Sequence, residues 1–147
     1  MGLRLLLRCC EPAYALAIAA RNYSFNARWR SIHRVAVPVI SVGNITTGGT
    51  GKTPVVAWTA RWLCEQSLRV TIVSRGYRTS GGARNDEALE LQLQLPDVPH
   101  VQNPNRVAAA QRAIDELQSE VILLDDGFQH RRLHRDLDIV LIDALQP

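Results

Sequence analysis

Between residues 43 and 53 the chain reads GNITTGGTGKT, and no other stretch constrains its fold as strongly. A β-branched run, residues 35–42 (VAVPVISV), precedes it, and a helix-compatible stretch, residues 52–66, follows. A strand that turns through glycines into a helix can aim successive N–H groups into one concavity, where the helix's positive end adds to their attraction for phosphate oxygens. The closing Gly51-Lys52-Thr53 satisfies the G-K-[ST] half of the P-loop pattern, in which the Lys reaches the β- and γ-phosphates and the hydroxyl ligates Mg²⁺. The first glycine of the full pattern falls on Thr46, and Gly48 and Gly49 shift the flexible point to the centre of the loop. Thr46, Thr47, Gly48, Gly49, Thr50, Gly51, Lys52 and Thr53 are therefore the candidate nucleotide-binding residues, with Thr53 also a candidate metal ligand. A plain strand-to-helix turn would use the same glycines. Lys52 argues for the functional reading, because it is the only lysine among 17 basic residues and a compact ammonium has survived where every other cation is Arg.

Strand and helix patterns alternate through the rest of the chain. Residues 70–74 (VTIVS) read as a strand closed by Arg75-Gly76-Tyr77. A Ser/Gly-rich loop at 79–83 leads to a polar helix around 86–95, a short strand at 100–102 and an amphipathic helix at 106–117. Residues 121–125 (VILLD) and 138–143 (DIVLID) are nearly continuous in apolar side chains, which predicts buried parallel strands. Such alternation predicts an α/β fold, a P-loop NTPase-like parallel sheet with helices on both faces. With 147 residues, 46% hydrophobic and 21% charged, the chain holds one packed domain and is neither disordered nor fibrous. Cys9, Cys10 and Cys64 offer no zinc spacing and no disulfide framework, so a reducing compartment is the default.

Two carboxylates, Asp125 and Asp126, close the first of those apolar runs, and Gly127 follows. In P-loop proteins an acid at the end of a buried strand serves Mg²⁺ and its water shell, and this ion prefers hard oxygen ligands, so both aspartates are candidate metal residues. An ordinary turn would accommodate them too. The basic run at 129–135 (QHRRLHR) reads either as a solvated loop or as a neutraliser of phosphate charge. Nucleic acid is the weaker option for that charge and is not the expected partner, since the aromatic content is 5% and no stacking platform or recognition motif accompanies it.

Charge is unevenly spread. The first 34 residues hold six arginines against one acid, leaving eleven basic residues against thirteen acidic in the remainder. Within residues 3–23 the apolar sequence is broken by Arg4, Arg8, Glu11, Pro12 and Arg21, so no uncharged run is long enough to span a bilayer, and Glu11-Pro12 splits any signal-peptide core. A helix from about residue 13 to 23 with arginine-rich flanks fits a helix lying in a membrane interface, and fits equally one docked on its own domain. The expected organisation is a membrane-interface segment at 1–34 followed by a P-loop domain at 35–147.

Three strings together resemble the tetraacyldisaccharide 4'-kinases of lipid A biosynthesis: PVISVGNIT leading into GGTGKTP, then VSRGY at 73–77, then DDGFQHR at 125–131. The resemblance covers essentially the whole chain. It implies transfer of the ATP γ-phosphoryl group, with Mg²⁺, to the 4'-hydroxyl of an acylated glucosamine disaccharide 1-phosphate. It further implies peripheral attachment to an anionic surface, the cytoplasmic face of the bacterial inner membrane, through an N-terminal helix. The family's paired aspartates match Asp125 and Asp126. Its base, an aspartate in a Gly-Asp-Glu-Pro string, matches Asp86 within Asn85-Asp86-Glu87-Ala88, where the flanking glycine and proline are replaced. Lys52 and Asp86 are thus the candidate catalytic residues. Family members are longer and continue beyond Asp143 into a second domain that supplies a catalytic histidine. On this resemblance the chain is the N-terminal portion of a kinase, able to bind nucleotide and weak or inactive in transfer.

Two other classes remain. A partitioning-type ATPase switch carries a Lys where this loop has Thr47, and a non-catalytic nucleotide- or membrane-binding module would need no acceptor site.

Overall fold

The computed structural model describes residues 16, 18–20, 23, 27, 31–44, 51–76 and 86–143. The chain divides into two units, Met1–Ile32 and His33–Pro147. In the first, residues 16, 18–20 and 23 are helical, with Leu16 and Tyr23 exposed. The remainder of the expected 13–23 helix lies outside the described residues.

The second unit is a parallel sheet with helices on both faces. Its strands are β1 (Val39–Asn44), β2 (Val70–Ser74), β3 (His100–Gln102), β4 (Val121–Asp125) and β5 (Leu137–Leu141). Its helices are α1 (Lys52–Glu65), α2 (Asp86–Gln94) and α3 (Arg106–Leu117). Among the described residues the order across the sheet is β3-β2-β4-β1-β5, every pair parallel.

The continuous apolar run of β4 is explained by covering on both sides. Val121 and Leu123 face one way, packing with Val42, Val70 and Ile72 against Val56, Ala57, Ala60 and Leu63 of α1 and against Leu91 and Leu95. Ile122 and Leu124 face the other way, packing with Val39 and Val73 against Ala109, Ala110 and Ala113 of α3. Three alanines on α3 leave room for a close approach to the sheet.

Two sequence expectations are corrected. A strand was expected over 35–42, yet β1 begins at Val39: Pro38 has no N–H to give a ladder and only accepts, from Ile122 N–H at 3.0 Å. The same strand runs on through Gly43 and Asn44, which pair with Val140 and Leu141 of β5. The run at 138–143 was expected to be a buried strand, but β5 starts at Leu137, forms the sheet's edge among the described residues, and is exposed or half-buried along its length.

Candidate functional site

Neighbouring strands β1 and β4 send the chain in opposite directions at their carboxyl ends, β1 toward β2 through α1 and β4 toward β5. The crevice outside such a reversal is where open α/β sheets bind ligands. The register places Asp125 beside Val42, at the level where β1 runs into the glycine-rich loop.

On the β1 side, Gly51 caps α1 in the left-handed region, φ 72°, a conformation that suits glycine, and provides no side-chain cap. The first turn of α1 contains no acidic side chain, so the positive end of the helix is not neutralised from within. Lys52 and Thr53 open the helix, both half-buried.

On the β4 side, Asp125 is buried at the strand end. Asp126 turns into the left-handed region at φ 56°, which Asp tolerates better than most residues, and its N–H donates to the Val42 carbonyl at 3.0 Å. Gly127 leaves no room for a side chain, since a Cβ there would lie 2.5 Å from Leu124 Cβ and 2.9 Å from Ser41 Oγ. These two contacts fix where the acid pair sits.

The sides meet in an ion pair, Lys52 Nζ to Asp126 Oδ1 at 3.2 Å, with the lysine side chain 19% exposed and the aspartate 42%. The Asp126 carboxylate therefore faces the first turn of α1. Of the sequence-predicted site, the structure brings together Gly51, Lys52, Thr53, Asp125 and Asp126. Thr46, Thr47, Gly48, Gly49 and Thr50 lie outside the described residues, and Asp86 is described by its backbone, as the first residue of α2.

Two carboxylates and a hydroxyl form a hard-oxygen donor set. No cluster of three His, Cys, Asp or Glu among the described residues could hold a metal unaided. That composition fits Mg²⁺, which takes one or two carboxylates and completes its shell with phosphate and water.

The basic run after the acids divides in two. His134 and Asp136 belong to the opposite edge of the sheet: Asp136 Oδ2 accepts from Val39 N–H at 2.8 Å, and His134 Nε2 stands 2.7 Å from Arg34 Nη2. Arg135 is pinned to Asp138 at 2.7 Å and to the His130 carbonyl at 3.3 Å. His134 and Arg135 thus shape the entry into β5. Sequence reasoning overlooked a pair farther along the carboxyl edge, Ser74 Oγ and His100 Nε2, 2.9 Å apart. Burial holds the His100 pKa below its ordinary value of 6.5, opposed by a hydrogen bond to the backbone of Ala88. No spacing rule would have joined residues 74 and 100.

Comparison with known proteins converges on one family. The family model described as Tetraacyldisaccharide-1-P 4'-kinase matches residues 3–147. Tetraacyldisaccharide 4'-kinase of Geobacter metallireducens is 41% identical over 97% of this chain and 47% of that protein. The enzyme of the same name from Pseudomonas syringae pv. tomato is 41% identical over 95% of this chain and 46% of its own. A crystal structure of LpxK from Aquifex aeolicus in complex with ATP superposes with a TM-score of 0.87 at 36% identity, covering 97% of this chain and 50% of that one. The chain spans about half the length of the curated relatives it matches.

Proposed function

This chain belongs to the tetraacyldisaccharide-1-P 4'-kinase family, and on that premise we propose that its site is the nucleotide and metal side of a kinase. The reaction is transfer of the ATP γ-phosphoryl group to the 4'-hydroxyl of an acylated glucosamine disaccharide 1-phosphate. The observation that carries the reading is the Lys52–Asp126 pair, which joins the opening of α1 to the strand-end acids across 3.2 Å.

In this reading the loop residues Thr46, Thr47, Gly48, Gly49, Thr50 and Gly51 surround the triphosphate, and Lys52 stabilises the charge that spreads over the transferred group's oxygens. Thr53, Asp125 and Asp126 hold Mg²⁺, which supplies charge neutralisation of the β- and γ-phosphates when bound. Asp86 accepts the proton of the attacking hydroxyl, which requires hydrogen-bond reach to that oxygen. Catalysis then consists of positioning and electrostatics, with no covalent intermediate on the protein.

The reading extends to the N-terminal segment, residues 1–34, as a peripheral contact with the anionic cytoplasmic face of the bacterial inner membrane. Its six arginines against one acid and the exposure of Leu16 and Tyr23 support this. Among the described residues no helix is long and apolar enough to cross a membrane.

Equilibrium binding of ATP with Mg²⁺, combined with transfer of labelled phosphate to the acylated disaccharide, tests the proposal. Lys52→Arg should weaken ATP binding at least tenfold, about 1.4 kcal/mol, because a planar guanidinium cannot replace a compact ammonium. Unchanged binding would overturn the site assignment. Dimer formation on ATP binding, with no transfer, would favour the ATPase-switch class instead.

A further inference from the structure

Gly43 stands inside β1, where glycine has no side chain to pack and more freedom to lose than any other residue. Its own backbone does not call for it, since the glycines with positive φ among the described residues are Gly51 and Gly76. The reason lies in what rests on it. A Cβ at Gly43 would sit 2.8 Å from Phe128 Cβ, 3.5 Å from Phe128 N and 3.7 Å from Phe128 Cα. The chain leaving the acid pair therefore lies directly against the strand that leads into the glycine-rich loop.

Side chains alternate along β1. Val39 packs on the α3 side of the sheet and Val42 on the α1 side, so Ser41 and Gly43 share the α3 side with Gly127 and Phe128. Asp126 reaches the other way, to Lys52 of α1, the helix that covers the opposite face. Between them the Asp126 N–H donates to the Val42 carbonyl at 3.0 Å. Residues 126–128 thus straddle the end of β1. The strand is the stiffer partner, because Val42 pairs with Asp125 of β4 and Gly43 with Val140 of β5. Turning the phenyl ring relieves nothing, since Cβ moves only with the backbone. A side chain at position 43 is accommodated by displacing the turn.

We propose that Gly43 and Phe128 are positioning residues: their close contact seats the turn on β1 and so sets where the Asp126 carboxylate stands relative to Lys52. The consequence for metal rests on the reading of Asp125 and Asp126 as Mg²⁺ residues, whereas the seat itself is testable without metal. Mg²⁺ demands near-octahedral geometry at about 2.0–2.1 Å, so its affinity is sensitive to a displaced carboxylate.

Amide hydrogen exchange of the metal-free chain, resolved at single residues, is the deciding measurement. Gly43→Ala should speed exchange of the Asp126 amide about tenfold and leave that of Leu123, in the centre of β4, unchanged. In a Phe128→Gly background the same substitution meets no Cβ and should change exchange by less than about threefold, whereas in a Phe128→Ala background, which keeps the Cβ, the full effect should persist. An unaltered Asp126 amide in Gly43→Ala overturns the proposal, as does equal acceleration at Leu123 or the same effect in both backgrounds. If Gly43→Ala does not fold, its combination with Phe128→Gly should, and failure of both likewise overturns the proposal. Calorimetric titration then separates the seat from the metal reading. Gly43→Ala should weaken Mg²⁺-dependent ATP binding about tenfold while binding in EDTA changes little. If Asp126→Asn removes the Mg²⁺ dependence and Gly43→Ala leaves it whole, the positioning role is overturned. If the Asp126 amide responds to Gly43→Ala while Asp126→Asn leaves the Mg²⁺ dependence intact, the metal reading of Asp126 fails and the seat stands.

Discussion

Strands β4 and β5 flank the same neighbour, β1, and have the same composition in a different order, VILLD against LDIVL. Every residue of β4 is buried, whereas β5 is exposed at Leu137 and Asp138 and half-buried beyond. The difference is one of place, since β4 has strands on both sides and helices over both faces, and β5 has a single described neighbour. Of these two strands, the buried one leads into the acid pair, with Asp125 at its end and Asp126 next along the chain. Rigidity at the strand end is what an aspartate pair needs to hold a fixed geometry against α1.

Three substitutions sharpen this contrast, each read from the urea midpoint of the folded chain. Leu123→Ala in the centre of β4 should destabilise most, by about 2–5 kcal/mol, because a fully buried leucine leaves a cavity that helices on one side and strands beside it cannot close. Ile139→Ala, the residue of β5 paired with Val42, should cost only about 1 kcal/mol, in proportion to its partial burial. Asp138→Asn removes the Arg135 ion pair at the start of β5 and should cost about 0–1 kcal/mol, falling toward zero in high salt. Equal effects of the first two would erase the distinction between centre and edge.

Much of this architecture was legible beforehand. The bounds of β2, β3, β4 and α3 follow from apolar runs and helical periodicity, and α1 and α2 deviate only at their ends. The start of β1 was misplaced because β-branched residues on both sides of Pro38 look alike until the missing donor is considered. The exposure of β5 was illegible for a deeper reason: an apolar run states that a strand can be buried, and only the order of strands decides whether it is. At the site, Lys52, Asp125 and Asp126 were readable as candidates because motif chemistry singles them out, and the structure pairs Lys52 with Asp126. The Ser74–His100 bridge was not, because it joins two strand ends through a register that no local pattern encodes.

The contact between Lys52 and Asp126 makes each of these groups the other's resident competitor. At the proposed site, an incoming triphosphate would draw the ammonium off the carboxylate, and an incoming cation would draw the carboxylate off the ammonium. Whichever arrived first would vacate a place for its counterpart, so the proposal carries a reciprocal link between nucleotide and metal affinities through a single pair of side chains.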